Sequence, residues 1–97
     1  IDTGVGGAVA DAIGRRLGRL ADKVQVLSVT HAPQVAARAR RHLLIEKQAV
    51  EEGAFVRTHV KPLDPRERRE EVARMLAGAT ITEEARAAAS KLLSEVG

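Results

Sequence analysis

The spacing of apolar residues predicts a helix near the start of the chain and a buried strand after it. Between Gly7 and Leu20, apolar residues recur every three or four positions, as they do on one face of a helix. These positions are Val9, Ile13, Leu17 and Leu20. The next run, VQVLSVT from Val24 to Thr30, is rich in β-branched residues and apolar almost throughout. Such a run is typical of a parallel strand that is covered on both sides.

A proline shortly after this strand predicts the start of a second helix. Pro33 has no N–H, and the first turn of a helix has no partner for one. We therefore expect a helix in the alanine-rich stretch that follows Pro33. A helix, a strand and a helix in this order indicate part of an α/β sandwich.

Two shorter apolar runs predict an antiparallel hairpin within residues 42–61. HLLIEK (42–47) and AFVRTHV (54–60) are joined by a short connection that contains Gly53. In the second run, Val56, Thr58 and Val60 alternate with basic residues. This period of two predicts a strand with one buried face.

Capping residues predict two final helices within residues 65–96. The first begins with LDPRE, in which Asp64 is the N-cap and Glu67 the N3 residue of a capping box. Gly78 is a natural end for that helix, and Thr80 or Thr82 caps the next one.

The apolar positions of these last helices define their expected buried faces. They are Val72, Met75 and Leu76 in the first helix, and Ala85, Ala88, Ala89, Leu92, Leu93 and Val96 in the second. The whole chain, residues 1–97, is thus predicted to be one α/β domain. Its elements follow the order α-β-α-β-β-α-α, with a small sheet flanked by helices.

Composition excludes several classes of protein. Phe55 is the one aromatic residue, so the chain lacks the stacking platforms of single-strand nucleic-acid modules. The absence of cysteine excludes a disulfide scaffold and cysteine-ligated zinc. The three histidines do not have metal-ligand spacing, and we predict no metal site. No apolar run is long enough for a membrane span, and the net charge of +3 permits contact with nucleic acid.

Three stretches contain residues that could contact a ligand, and each also has a simpler structural interpretation. The glycines of DTGVGG (2–7) could let the backbone approach a phosphate or a partner chain, or could form an ordinary tight turn. His31 ends the predicted strand, at the edge where open α/β sheets bind ligands, but a lone histidine is more often structural or merely exposed. Arg38, Arg40 and Arg41 could contact nucleic-acid phosphates or form a solvated helix end.

Taken together, these stretches resemble one known family. IDTGVGGAVADAIGRRL, VQVLSVTHAPQVAARA, HLLIEK and ARMLAG, in this order, resemble the C-terminal end of RecN, a family of bacterial DNA-repair ATPases related to the SMC proteins. VTHAPQVA is the most specific piece, and ITEEARAAASKLL is similar to the last helix of the family. The resemblance covers essentially the whole chain. It implies a partial ABC/SMC-type P-loop ATPase head, whose P-loop, signature loop and acidic strand end lie upstream of Ile1.

The resemblance also implies roles for particular residues. Residues 1–7 correspond to the D-loop region at the interface of two heads, and residues 24–39 contain the switch histidine, His31, which approaches the γ-phosphate. The D-loop candidates are Asp2, Thr3, Gly4, Gly6 and Gly7. Thr30 and Gln34 belong to the family pattern without an assigned role. Gly6 stands where many ABC ATPases have an aspartate, so that side-chain contact is not carried over.

The same resemblance implies a function for the full-length protein. It would hydrolyse ATP with Mg²⁺ during repair of DNA double-strand breaks and recombination, with a second head of a homodimer and DNA as partners. The expected location is the cytoplasm, at the nucleoid. The alternatives are a non-enzymatic DNA-binding or interaction module and the tail of another ABC-type ATPase.

The first residues, Ile1-Asp2-Thr3 without a methionine, lead us to expect a fragment. By itself it should bind no nucleotide, show no ATPase activity and make no contact with membranes. Without the N-terminal part of its own head, its strands would have open edges, so we expect it to self-associate.

Overall fold

The described part of the chain forms four helices and one two-stranded antiparallel sheet. A computed structural model describes residues 7–51, 53 and 55–95. The elements are α1 (Gly7–Leu20), α2 (Pro33–Ala36), β1 (Leu43–Val50), β2 (Phe55–Pro62), α3 (Pro65–Ala77) and α4 (Glu83–Ser94). The mixed class of helices and strands is confirmed, but the observed order within these ranges is α-α-β-β-α-α. None of the helices in these ranges is long and apolar enough to cross a membrane.

The strand predicted from Val24 to Thr30 is absent. This stretch is irregular and forms no ladder with any described residue. Val24, Leu27 and Val29 are exposed, Leu27 to 85% of its surface. A strand is stabilised by hydrogen bonds to a neighbour and by cover over its side chains. Because no described segment supplies either, the apolar run stays open to solvent.

Helix α1 has the predicted bounds but buries a different face. Val9 and Leu20, from the predicted apolar stripe, are half exposed, whereas Ala10 and Gly14 are buried. Small residues on this face let α1 and α2 approach closely, and this approach decides which side of α1 is covered.

The close approach is tightest at Gly14. A Cβ atom placed there would lie 2.7 Å from the carbonyl oxygen of Gln34 and 3.3 Å from the Cα atom of Val35. Such distances leave no room for a side chain. Helix α2 itself is a single turn, with Pro33 in its first turn as predicted.

The antiparallel hairpin is confirmed. Its register runs from Leu43 opposite Pro62 to Val50 opposite Phe55. At the turn, Gly53 has a φ of 86°, in the left-handed region that glycine adopts without strain.

The predicted burial of one face of the hairpin is wrong. Directly opposed residues share a face, so the register gathers one apolar face. Its apolar residues are Leu43, Ile45, Ala49, Val56, Val60 and Pro62, and the pair Lys47 and Thr58 lies among them on the same face. Every residue of β2 is nevertheless exposed, because no described element covers the sheet along this strand.

Helix α3 begins with the predicted capping box. A carboxylate oxygen of Asp64 accepts from the N–H of Glu67 at 2.7 Å, and the Glu67 carboxylate accepts from the N–H of Asp64 at 3.1 Å. Gly78, with a φ of 84°, follows the last turn. Of the two caps considered for α4, Thr82 is the one used, and its hydroxyl accepts from the N–H of Ala85 at 3.1 Å.

The main apolar core lies between α3 and α4. Its buried residues are Val72, Ala73, Ala85 and Ala89, with Ile81, Leu92 and Leu93 packed around them. Two predicted core positions are wrong, because Leu76 and Ala88 are exposed, and Val96 lies outside the described residues. Alanines let the two helices approach closely, and an ion pair between Arg86 and Glu70, 3.0 Å long, spans them.

Replacing Gly14 with alanine should destabilise the fold. The added Cβ atom would meet the backbone of α2, and overpacking of this kind costs about 1–3 kcal/mol of the free energy of unfolding. Urea denaturation followed by circular dichroism measures this change. The matched control is Gly18→Ala, where nothing lies within 4 Å of the new atom. There the better helix propensity of alanine should add about 0.5–1 kcal/mol, and equal gains in both variants would contradict the close approach.

Candidate functional site

His31 lies at the surface, in a short turn just before α2. The residue is exposed. The hydroxyl of Thr30, the residue before His31, accepts a hydrogen bond at 3.0 Å from the N–H of Ala32, the residue after it. Ala32 has an extended backbone, with φ −92° and ψ 121°, as expected before a proline. The turn and Pro33 therefore fix where the chain presents the imidazole, and they keep it out of the apolar core.

Of the predicted D-loop residues, the structure describes Gly7 alone. Asp2, Thr3, Gly4 and Gly6 lie outside the described residues. Gly7 is the first residue of α1, and a Cβ atom on it would lie 3.6 Å from the side-chain nitrogen of Gln34. The start of α1 and the first turn of α2 are therefore neighbours.

Gln34 has a packing role that the sequence did not assign. Its side chain reaches Gly7, and its carbonyl oxygen lies against Gly14. Gly7 and Gly14 are seven residues apart, a spacing that puts them on one face of a helix. This spacing is the signal in the sequence that could have indicated where α2 packs.

The three predicted DNA-contacting arginines do not form one patch. Arg38 is only 15% exposed in its side chain, and its guanidinium is 3.5 Å from the carboxylate of Asp11 in α1. Arg40 is exposed and forms a 2.9 Å ion pair with Asp22. Arg41 is exposed. Arg38 thus links α1 to the segment after α2, while Arg40 and Arg41 face solvent.

Arg68 of α3 is a residue that sequence reasoning missed. Its guanidinium donates to the carbonyl oxygens of Ala36 at 3.0 Å, Ala37 at 3.2 Å and Ala39. The last carbonyls of a helix have no partner within the helix, and Arg68 supplies one for the end of α2. Burial lowers the pKa of Arg68 from its ordinary value, yet an arginine remains charged. Nothing in the run RERREE distinguishes Arg68 from its neighbours.

A groove of about 810 Å³ surrounds this contact. It lies between the end of α2, the base of the hairpin, and helices α3 and α4. Its basic lining residues, which define what we call the basic groove, are Arg40, Arg41, His42, Arg68 and Arg69. Ser90 and apolar residues complete the lining, which contains no carboxylate.

The acidic residues of α3 lie along a different groove. This second groove, of about 510 Å³, is lined by Asp64, Glu67, Glu70 and Glu71, together with Lys61, Arg66 and Arg74. The sequence PRERREE mixes both signs of charge. Arg68 and Arg69 line the basic groove, whereas the three glutamates of α3 line the second groove together with Arg66 and Arg74, because residues three and four apart share a face.

His42 is half-buried at the base of the hairpin. Its Nδ1 atom is buried and has no hydrogen-bond partner among the described residues. Burial lowers the pKa of His42, and the positive charge of Arg68 lowers it further, while Glu71 acts in the opposite direction. Within residues 7–51, 53 and 55–95, no group of three His, Asp or Glu residues is placed to hold a metal ion.

Comparison with known proteins gives one consistent result. The chain is 47% identical over 96 residues to a protein of Xylella fastidiosa described as "DNA repair protein RecN", covering 99% of this chain and 17% of that protein. The same description belongs to a Streptomyces coelicolor protein, 54% identical over 93 residues, which are 96% of this chain and 16% of that protein. A Deinococcus radiodurans protein so described is 55% identical over 80 residues, 82% of this chain and 14% of its own length.

These matches cover nearly all of the chain but little of the relatives. The chain spans about a sixth of the length of the first curated relatives. No protein-family model matches it. The resemblance to RecN that the sequence indicates is confirmed over almost the whole chain.

Removing the guanidinium of Arg68 should destabilise the fold. In Arg68→Met the carbonyl of Ala37 loses its donor, while that of Ala36 keeps the N–H of Ala39 at 3.3 Å, and a buried group left without a partner costs about 1–3 kcal/mol. Urea denaturation measures the loss. Arg69→Met is the control, since Arg69 is exposed and such changes stay within about 0.5 kcal/mol. Equal effects in the two variants would contradict the anchoring role of Arg68.

Stability should fall as the pH drops below neutral, because of His42. Its pKa is lower in the folded chain than in the unfolded chain, so the unfolded chain binds the proton more readily. Stabilisation is then present above the unfolded pKa of about 6.5 and is lost as the pH falls below it. Urea denaturation at about pH 7.5 and 5.5 should show this loss, and His42→Gln should reduce it. The control His59→Gln changes an exposed histidine, and an undiminished loss in His42→Gln would refute the assignment.

Proposed function

We propose that this chain, similar over almost its whole length to RecN proteins, forms the C-terminal part of an SMC-like ATPase head that acts in DNA repair. In this proposal His31 contacts the γ-phosphate side of an ATP site that residues outside the chain complete. The observation that carries it is the exposed His31 in the segment VTHAPQVA, between the irregular run 24–30 and α2. The relatives' common description as DNA repair proteins supports the cellular role.

The packing of α1 on α2 supports a joint role for the D-loop region and His31. Gly7, the last D-loop residue, lies against Gln34, three residues after His31. The two segments that the resemblance assigns to one nucleotide site are therefore carried by neighbouring elements. Helix α2 packs against Gly14 of α1 on one side and accepts a hydrogen bond from Arg68 of α3 on the other. These two contacts hold the helix that follows the His31 turn in place.

ATP with Mg²⁺, when bound, would supply the γ-phosphoryl group that is transferred to water. The sequence has no GxxxxGK[ST] loop to cradle phosphates, so the described residues fit only one side of such a site. His31 would donate a hydrogen bond from a ring nitrogen to a phosphate oxygen, or orient the attacking water. Phosphoryl transfer depends mainly on positioning and charge stabilisation, and a single fixed imidazole can contribute to both.

The exposed apolar surfaces support a place in a larger assembly. Leu27 and Val29 of the irregular run 24–30 are exposed, and so are Val56 and Val60 of the hairpin. Several large apolar side chains exposed along one segment and along one sheet face favour an interface. In this proposal the N-terminal part of the same head and a second head cover it, and the isolated chain associates with itself instead.

Replacing His31 tests the proposal. In a full-length RecN protein that carries this segment, His31→Ala should lower ATP turnover about a hundredfold, as the loss of one preorganised donor typically does. Since His31 is exposed, its removal should change the free energy of unfolding by less than about 0.5 kcal/mol. Steady-state phosphate release measures turnover, and the 97-residue chain is expected to release none.

His59→Ala is the matched control, because it removes another exposed histidine, in β2. It should leave turnover unchanged. Normal turnover in His31→Ala, or an equal loss in both variants, would remove the assignment of His31.

A further inference from the structure

We propose that the basic groove binds the sugar–phosphate backbone of DNA, with Arg41 and Arg69 as the residues that contact phosphates. The two arginines come from different elements, the segment after α2 and helix α3, and both line the groove. The choice of DNA as the polyanion rests on the proposed function. The inference that the groove binds phosphate groups rests on the residues that line it and does not depend on the proposed function.

The charges around the groove favour an anion. Four arginines and one histidine line it, and its lining contains no carboxylate. The acidic residues of α3 lie along the second groove instead. A cleft lined by one sign of charge concentrates ligands of the opposite sign.

The arginines of the groove differ in whether their guanidinium groups are already bonded to other groups of the described chain. Arg68 is held by three backbone carbonyls and acts as a fixed charge. The guanidinium of Arg40 forms an ion pair with the carboxylate of Asp22. Arg41 and Arg69 are both exposed, and neither forms an ion pair with a described carboxylate. These two guanidinium groups therefore have their donors available for phosphate oxygens.

The lining of the groove favours the phosphate backbone of DNA over stacking on its bases. Leu63 and Leu93 add aliphatic surface to the lining, and none of the lining residues is a phenylalanine, tyrosine or tryptophan able to stack on a base. Phe55, the one aromatic residue, pairs with Val50 at the turn end of the hairpin, whereas Pro62 at the other end lines the groove. Binding should therefore be independent of sequence and dependent on salt.

Fluorescence anisotropy with a labelled duplex of random sequence tests the proposal on the 97-residue chain. Arg41→Ala and Arg69→Ala should each weaken binding about five- to tenfold at about 0.1 M salt, and should lower the slope of log affinity against log salt by about 0.9. Arg69→Lys, which keeps the charge, should recover part of the affinity.

The matched control is Arg66→Ala. It removes the same charge from the same helix, but Arg66 lines the second groove, so its affinity for DNA should stay within about twofold of the original chain. The proposal is overturned if the chain shows no salt-dependent binding of the duplex, or if Arg66→Ala weakens binding as much as Arg69→Ala. Binding of anionic lipid vesicles in place of DNA, with the same dependence on Arg41 and Arg69, would also overturn it. None of these measurements involves ATP turnover, so their failure leaves the assignment of His31 unaffected.

Discussion

The contact of Arg68 with the end of α2 holds together two parts of the chain that are packed separately. One part is α1 with α2, where Ala10 and Val35 are buried, and the other is α3 with α4 around Val72. Few contacts join α2 to α3, so the hydrogen bonds from Arg68 to the carbonyls of Ala36, Ala37 and Ala39 are an important part of this junction. Hydrogen bonds from a charged donor are about twice as strong as neutral ones, which suits a junction with so little buried apolar surface.

Small residues dominate what is buried, and this has consequences for the whole molecule. Among the described residues, six of the eight buried apolar side chains are alanines, and Val72 is the largest that is fully buried. Small side chains allow close approach between helices, but each removes little apolar area from water. The burial of apolar area is the main source of stability. Large apolar residues, such as Leu27 and Val56, lie outside instead. The described part of the chain therefore has a small core and exposed apolar surfaces.

Both proposed functional surfaces depend on the single turn of α2. His31 precedes this helix, and Arg41 follows it within five residues of its end. Gln34 packs α2 on α1, and Arg68 anchors its end to α3. His31, which is proposed to contact ATP, and Arg41, which is proposed to contact DNA, thus lie on the two sides of one short helix. Any shift of α2 against α1 or α3 would move both.

The sequence by itself determined the features that depend on neighbours along the chain. The bounds of α1, the capping box of Asp64 and Glu67, the antiparallel hairpin and the start of α2 at Pro33 follow from hydrogen bonds and dihedral preferences within a few residues. The tertiary structure alone decided which face of α1 is buried, which arginine of α3 anchors α2, and that residues 24–30 lack a partner strand. These depend on contacts between distant segments, such as Gly14 with Gln34 and Arg68 with Ala36. Periodicity marks a residue as apolar or charged, but it carries no information about which distant segment will lie against it.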